Sequence, residues 1–194
     1  MADVEVTGFA VAGGRSQRMG SDKALLAWAG TTLLEHTLAR LRDVCAEVCI
    51  LSGVQIRYAS YGVPAHADLV PEAGPLGGVH AGLRNLGVSL GLFLGVDTPL
   101  VPSPLLRALV AAAGGFDAVV PVVGGRPEPL CAVYRGTCLA PVQRRLEAGE
   151  RKMTSFWPDV RVRTMAEDEL ASFGDPAVMF RNLNTTEDYL RLRG

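Results

Sequence analysis

Apolar runs of strand length alternate along the chain with stretches whose apolar residues recur at helical spacing. Residues 4–12 (VEVTGFAVA) form a strand-like run that passes into a turn at Gly13-Gly14. From Thr32 the spacing predicts a helix through Arg42, with Leu33, Leu34, Thr37, Leu38 and Leu41 on one face. Thr32 can cap that helix and Glu35 is its early acid. Residues 46–52 predict a second strand, and a short strand precedes Asp68. A helix from about Gly78 to Leu86 then leads to an almost wholly apolar strand at 91–96. Pro102 and Pro104 open another helix, which closes near Gly114-Gly115. Strands at 117–123 and 129–135 follow, about a hairpin-like turn at Gly124-Gly125. The remainder reads as a helix at 137–148, mixed polar segments, a strand near 178–183 and a short terminal helix.

Alternating β and α segments with uninterrupted apolar strands predict an α/β fold: a mostly parallel sheet buried on both faces, in three αβα layers. No Pro/Ser/Gly linker and no repeat period divides the chain, so residues 1–194 are expected to form one domain. Sheets of this kind bind ligands beyond the carboxyl ends of their strands, near the switch in strand order. The chemistry is therefore sought in the residues that follow strands.

The segment Val11-Ala12-Gly13-Gly14-Arg15-Ser16-Gln17-Arg18-Met19-Gly20-Ser21-Asp22-Lys23 leaves the first strand directly. Its glycines let backbone N–H groups approach an anion. Arg15, Arg18 and Lys23 against the single acid Asp22 make the stretch locally cationic. Two common phosphate motifs fail here. A dinucleotide fingerprint needs G-x-G-x-x-G, and a P-loop needs G-x-x-x-x-G-K-[ST]; neither spacing is present. A bare surface loop with solvated arginines is the plainer reading, and three cations on a strand exit weigh against it.

The stretch resembles the signature A-G-G-x-S-x-R-M-G-x-D-K of small nucleotidyltransferases, most specifically the molybdenum cofactor guanylyltransferases. Further blocks resemble the family in order: Gly74-Pro75-Leu76-Gly77-Gly78, Asp97-Thr98-Pro99, Pro129–Tyr134, Gly149-Glu150-Arg151-Lys152 and Asn182-Leu183-Asn184-Thr185. The resemblance implies a Rossmann-like nucleotidyltransferase domain. It also implies transfer of GMP from GTP to molybdopterin, with Mg²⁺ as cofactor. Proteins that deliver molybdopterin or mature molybdoenzymes are the partners such an activity would meet. Lys23, Arg18 and Asp97 become the expected catalytic residues. Val11, Ala12, Gly13, Gly14, Arg15, Lys23, Asp68, Gly74, Asp97, Asn182 and Asn184 become the expected nucleotide or substrate contacts.

The residues also have readings of their own. Asp97 ends the apolar strand and Pro99 stops it promptly, so a carboxylate emerges at the ligand edge. It is either a turn former before the next helix or a Mg²⁺ ligand, a role for which one or two protein carboxylates suffice. Asp68, before the Gly/Pro-rich stretch 71–78, is either a strand-end turn former or part of the nucleotide site. Some relatives carry an asparagine near the guanine at the end of the second strand; this chain has Leu51 and Ser52. Asn182 and Asn184, two apart on the expected last strand, would share a face, although Thr185 and Asp188 also suit a helix cap. Arg151-Lys152 could meet a second anionic substrate or simply close a helix.

Composition narrows the alternatives. A 194-residue chain hides about 70 % of its extended surface, enough for a core without metal or disulfide staples. Nineteen basic residues against 20 acidic ones give a net charge of −1, so no global field draws nucleic acid or an anionic membrane. Cys45, Cys49, Cys131 and Cys138 show no metal spacing and read as core thiols in a reducing cytoplasm. Two rivals remain: a cytidylyltransferase on the same pterin, whose relatives tend toward Ala-Ala-Gly where this chain has Ala12-Gly13-Gly14, and a nucleotide-binding regulator without chemistry.

Overall fold

The structure, a computed structural model, describes residues 5–13, 22–70, 72–86, 90–183, 185 and 187–189. Ten strands are described: β1 (Val6–Val11), β2 (Ala27–Trp28), β3 (Thr31–Thr32), β4 (Glu47–Leu51), β5 (Ala65–His66), β6 (Leu90–Gly95), β7 (Ala118–Val123), β8 (Arg126–Pro127), β9 (Cys131–Arg135) and β10 (Val162–Met165). The α-helices among the described residues are α1 (Leu33–Arg42), α2 (Pro75–Arg84), α3 (Ser103–Ala111), α4 (Leu139–Glu147), α5 (Glu167–Leu170) and α6 (Pro176–Met179).

The main sheet runs β10-β7-β9-β6-β1-β4-β5, with β8 paired to β7. β5, β4, β1 and β6 are mutually parallel, and β9 runs against both β6 and β7. The chain moves outward from β1 through β4 to β5, then returns to β1's other side with β6. The strand order therefore reverses between β1 and β6, and the crevice beyond their carboxyl ends is the expected ligand position. Val11 and Gly95 are register partners there.

Alternation along the strands sends side chains into two cores. On one face, Ala10, Leu92 and Leu94 pack with Leu34, Leu38, Leu105 and Leu109 of α1 and α3. On the other, Phe9 stacks on Phe93 at 4.8 Å, Phe93 meets the edge of Tyr134 at 5.4 Å, and α2 and α4 cover them. Replacing a fully buried ring such as Phe93 by alanine costs about 3–5 kcal/mol. The three-layer α/β architecture is the one the hydrophobic pattern predicts.

Local chemistry explains where the elements start. Thr32 Oγ1 accepts from Glu35 N at 3.2 Å, while Glu35 Oε2 accepts from Thr32 N at 2.8 Å, a reciprocal cap on α1. Gly124 and Gly125 take φ of +56° and +71° between the paired Val123 and Arg126, a two-residue hairpin. α2 begins at Pro75, three residues before the expected Gly78: the proline sits in the first turn, where its missing N–H costs nothing, and Gly74 precedes it at φ +61°.

The C-terminal third departs most from expectation. No strand lies at 178–183. Asp175 Oδ1 accepts from Ala177 N at 2.9 Å and Pro176 opens the short helix α6. The apolar run Val178-Met179-Phe180 is a helical face, with Met179 and Phe180 buried and Val178 exposed. β10 escapes the pattern because it is a four-residue edge strand beside β7 whose sequence, Val162-Arg163-Thr164-Met165, has neither an apolar run nor a strict alternation. No described helix is long and apolar enough to cross a membrane.

Candidate active site

Two adjoining cavities open at the reversal in strand order. The larger, about 1050 Å³, is lined by Val11 at the end of β1 and Gly13 beyond it, by Leu51 at the end of β4 with residues 52–55 and Arg57 beyond it, and by Asp68, Glu72, Gly74, Pro75, Gly78 and Leu130. The smaller, about 230 Å³, is lined by Asp97, Thr98, Glu128, Met153 and Asn182. Pro75 and Leu130 belong to both walls.

The glycine-rich exit from β1 is held against the exit from β4. Ala12 N donates to the Leu51 carbonyl at 2.9 Å. A Cβ on Gly13 would lie 2.6 Å from Gly53 N and 2.7 Å from Gly53 Cα, so only glycine permits this backbone approach. Gly14, Arg15 and Arg18 of the expected anion cluster lie outside the described residues. The described part resumes at Asp22, which caps a short turn over Lys23–Leu25.

Lys23 Nζ stands 3.9 Å from Asp97 Oδ2, with the lysine side chain 17 % exposed and the aspartate 29 %. The sequence names both residues, and the fold brings them together from different elements. Asp97 follows β6. Its neighbourhood is fixed by Val96 N donating to the Val11 carbonyl at 3.2 Å and Leu183 N donating to the Asp97 carbonyl at 2.8 Å. That second bond draws Asn182 to the small cavity. Asn182 reaches it from an irregular segment rather than a strand, so the shared-face argument for Asn182 and Asn184 does not apply, and Asn184 lies outside the described residues.

Asp68 lies on the wall of the large cavity, beneath the first turn of α2. Its Oδ1 is buried with no hydrogen-bond partner among the described residues, and a Cβ added at Gly77 or Gly78 of α2 would meet its carboxylate oxygens at 3.6 and 3.8 Å. Burial pushes its carboxyl above the ordinary carboxylate range. An acceptor left without a donor in a ligand-sized cavity is suited to a ligand's N–H.

The sequence pattern did not single out Arg57 or Glu128. Arg57 lines the large cavity and pairs with Asp22 at 3.0 Å. Glu128 stands one residue before the Pro129–Tyr134 block; burial first, then Asp97's charge, pushes its carboxyl up. The only available clue was an acid set between Pro127 and Pro129, just ahead of an apolar strand. Arg151 spends its guanidinium on the Leu146 and Glu150 carbonyls at 3.0 and 3.1 Å, and Lys152 borders a different cavity beside Trp157.

The small cavity's donors fit a hard divalent cation. Asp97, Glu128 and Asn182 offer oxygens, and Mg²⁺ typically takes one or two carboxylates and completes its shell with water and phosphate. The thiol on that wall, Cys131, is buried and pushed far above its usual pKa, so it offers no soft competing ligand. No group of three or more His, Cys, Asp or Glu that could hold a metal ion occurs among the described residues. All four cysteines are free; burial holds the Cys45 and Cys138 thiols up at about 12.

The family model for the MobA-like NTP transferase domain matches residues 8–162. A probable molybdenum cofactor guanylyltransferase of Pelotomaculum thermopropionicum is 35 % identical over 190 residues, spanning 98 % of this chain and 93 % of that protein. A molybdenum cofactor guanylyltransferase of Serratia proteamaculans is 37 % identical over 191 residues, 96 % of this chain and 93 % of that one. The crystal structure of molybdopterin-guanine dinucleotide biosynthesis protein A from Archaeoglobus fulgidus superposes with a TM-score of 0.81 at 24 % identity, covering 96 % of each chain, and this likeness bears on the fold.

Proposed function

Because the chain belongs to the MobA-like NTP transferase family, we propose that it transfers GMP from GTP to the terminal phosphate of molybdopterin, releasing pyrophosphate. The observation that carries this reading is the meeting of Lys23 and Asp97 at 3.9 Å, where a triphosphate-sized cavity adjoins an oxygen-lined one.

In the reaction a phosphate oxygen of the pterin forms a bond to the α-phosphorus of GTP. The bond from that phosphorus to the bridging oxygen breaks, and pyrophosphate leaves with the electron pair. The attacking phosphate is already largely ionised near neutral pH, since its second pKa is about 6, so no strong general base is needed. The obstacle is repulsion between polyanions: two unit charges 4 Å apart at an effective dielectric of about 20 repel by about 4 kcal/mol, nearly three powers of ten in rate.

This chain's residues act on that obstacle. The backbone at Val11, Ala12 and Gly13 would line the triphosphate, and Lys23 would place its ammonium against it. Arg15, Arg18 and Gly14 would add to the same cradle. Asp68 would accept from a donor edge of the base, beside the α2 turn that Gly74 opens. Asp97 would hold Mg²⁺, with Glu128, Asn182 and Asn184 orienting its water or a phosphate oxygen. When bound, the cation supplies neutralisation of charge between the α-phosphate and the departing pyrophosphate. The partners in this reading are proteins that deliver molybdopterin and mature molybdoenzymes.

Pyrophosphate release with molybdopterin and Mg²⁺, titrating GTP against CTP, tests the reading. GTP should support turnover and CTP should not; removal of the divalent cation by EDTA should stop the reaction. Asp97→Asn and Lys23→Ala should each lose orders of magnitude in turnover while melting at the wild-type temperature. Near-normal pyrophosphate release by both variants would overturn the assignment.

A further inference from the structure

We propose that Arg57 is a positioning residue for Lys23: with Tyr58 it grips Asp22, and through Asp22 it sets the turn that delivers the lysine ammonium to Asp97. The role in catalysis rests on the function proposed above; the tether itself is geometric.

Asp22 uses both carboxylate oxygens. Oδ1 accepts from Ala24 N at 3.1 Å and so caps the turn over Lys23–Leu25, which Leu25 N closes onto the Asp22 carbonyl at 3.0 Å. Oδ2 accepts from Arg57 Nη1 at 3.0 Å and from the Tyr58 hydroxyl at 2.7 Å. One carboxylate thus joins the start of the lysine turn to a segment more than thirty residues later in the chain.

That segment is itself anchored. Arg57 Nη2 donates to the Ser52 carbonyl at 3.1 Å, and the guanidinium lies over the Tyr58 ring at 5.0 Å. The Ser52 hydroxyl donates to the Gln55 carbonyl at 2.7 Å, folding the loop back on itself. Tyr58 holds a left-handed backbone at φ +65°, a conformation that aims its ring across Arg57. Burial, with the Asp22 contact, pushes the Tyr58 hydroxyl above its ordinary pKa, so it remains a donor. The same loop meets the β1 exit at Gly13, where Gly53 makes backbone contact. Residues 52–58 therefore brace the described chain on both sides of 14–21.

The tether matters because Lys23 must lie within a fraction of an ångström of its productive place; a misplacement of about 1 Å costs up to a hundredfold in rate. It matters less to folding. The Arg57 side chain is 39 % exposed and that of Asp22 26 %, and half-exposed ion pairs add little to global stability. Arg57 also lines the large cavity, so direct contact with the nucleotide is the competing role. Both of its terminal nitrogens already donate, Nη1 to Asp22 and Nη2 to the Ser52 carbonyl, a fixed orientation that favours the tether.

The experiment is a double-mutant cycle on Arg57 and Asp22, read by steady-state kinetics with GTP and by amide hydrogen exchange of the nucleotide-free protein. Arg57→Ala should lower kcat/KM for GTP by about ten- to a hundredfold at unchanged melting temperature. Arg57→Lys should restore part of the loss and Tyr58→Phe should cost less than Arg57→Ala. Asp22→Ala with Arg57→Ala should lose less than the product of the two single losses, because both act through the contact they share. Ala24, Leu25 and Leu26 amides should exchange faster in Arg57→Ala without nucleotide. Losses that multiply would make Arg57 a direct nucleotide contact and overturn the proposal, as would unchanged exchange at residues 24–26. If wild-type protein neither binds nor turns over GTP, the functional reading fails, and the exchange result still decides the tether.

Discussion

The larger cavity includes walls already held in place, such as Arg57 on Asp22 and Gly13 against Gly53, whereas the smaller gathers the polar groups Asp97, Glu128 and Asn182 from three distant stretches of chain. The first is suited to gripping a ligand whose shape is known in advance. The second concentrates like charge that a cation must neutralise. The division suggests that substitutions on the two walls should differ in kind: affinity for nucleotide on one side, turnover and metal demand on the other.

The largest effect that would sharpen this contrast is at Gly13. Gly13→Ala forces a methyl into the Gly53 backbone, which cannot yield as a side chain would. The substitution should cost about 1–3 kcal/mol of stability and at least tenfold in GTP affinity, read by thermal melting and nucleotide titration. Glu128→Gln should leave GTP affinity near wild type. It should raise the Mg²⁺ concentration for half-maximal turnover by about tenfold, and an unchanged Mg²⁺ requirement breaks the division of labour.

Asp68→Asn returns to the wall of the larger cavity, with effects of opposite sign. Its buried Oδ1 has no described partner, and a carboxyl whose pKa is raised on folding destabilises the fold once pH passes that pKa. The amide should therefore raise stability at neutral pH by about 1 kcal/mol while weakening GTP binding. Loss of both would make Asp68 structural.

The smallest effect lies away from both cavities. His80, buried on α2 with neither ring nitrogen paired among the described residues, has its pKa lowered by burial and by Arg84, against an opposing pull from Glu147. The folded protein holds it neutral while the unfolded chain protonates it near 6.5, so stability should fall as pH drops below that value. The His80→Gln variant should show a flatter decline in melting temperature between pH 7 and 5.

What could be read from sequence follows from where information is local. The cap at Thr32, the hairpin at Gly124-Gly125 and the apolar strands β1 and β6 depend on neighbours in the chain, and the pattern shows them. Lys23 and Asp97 were legible because each follows a buried strand in a resembling motif; their 3.9 Å approach was not, since it depends on strand order. Arg57 and Glu128 escaped because nothing local distinguishes a cation that braces a carboxylate, or an acid at a turn, from a solvated one. The expected strand at 178–183 failed for a similar reason. Three consecutive apolar residues fit either period, and only Asp175 and Pro176 just ahead of them decide for a helix.

The bond from Leu183 to the Asp97 carbonyl ties a late segment of the chain to the carboxylate that ends the central strand. The described lining of the larger cavity reaches no further than Leu130, whereas Asn182 borders the smaller one, so a change that loosens residues 180–183 should blunt the reacting centre and spare the nucleotide wall.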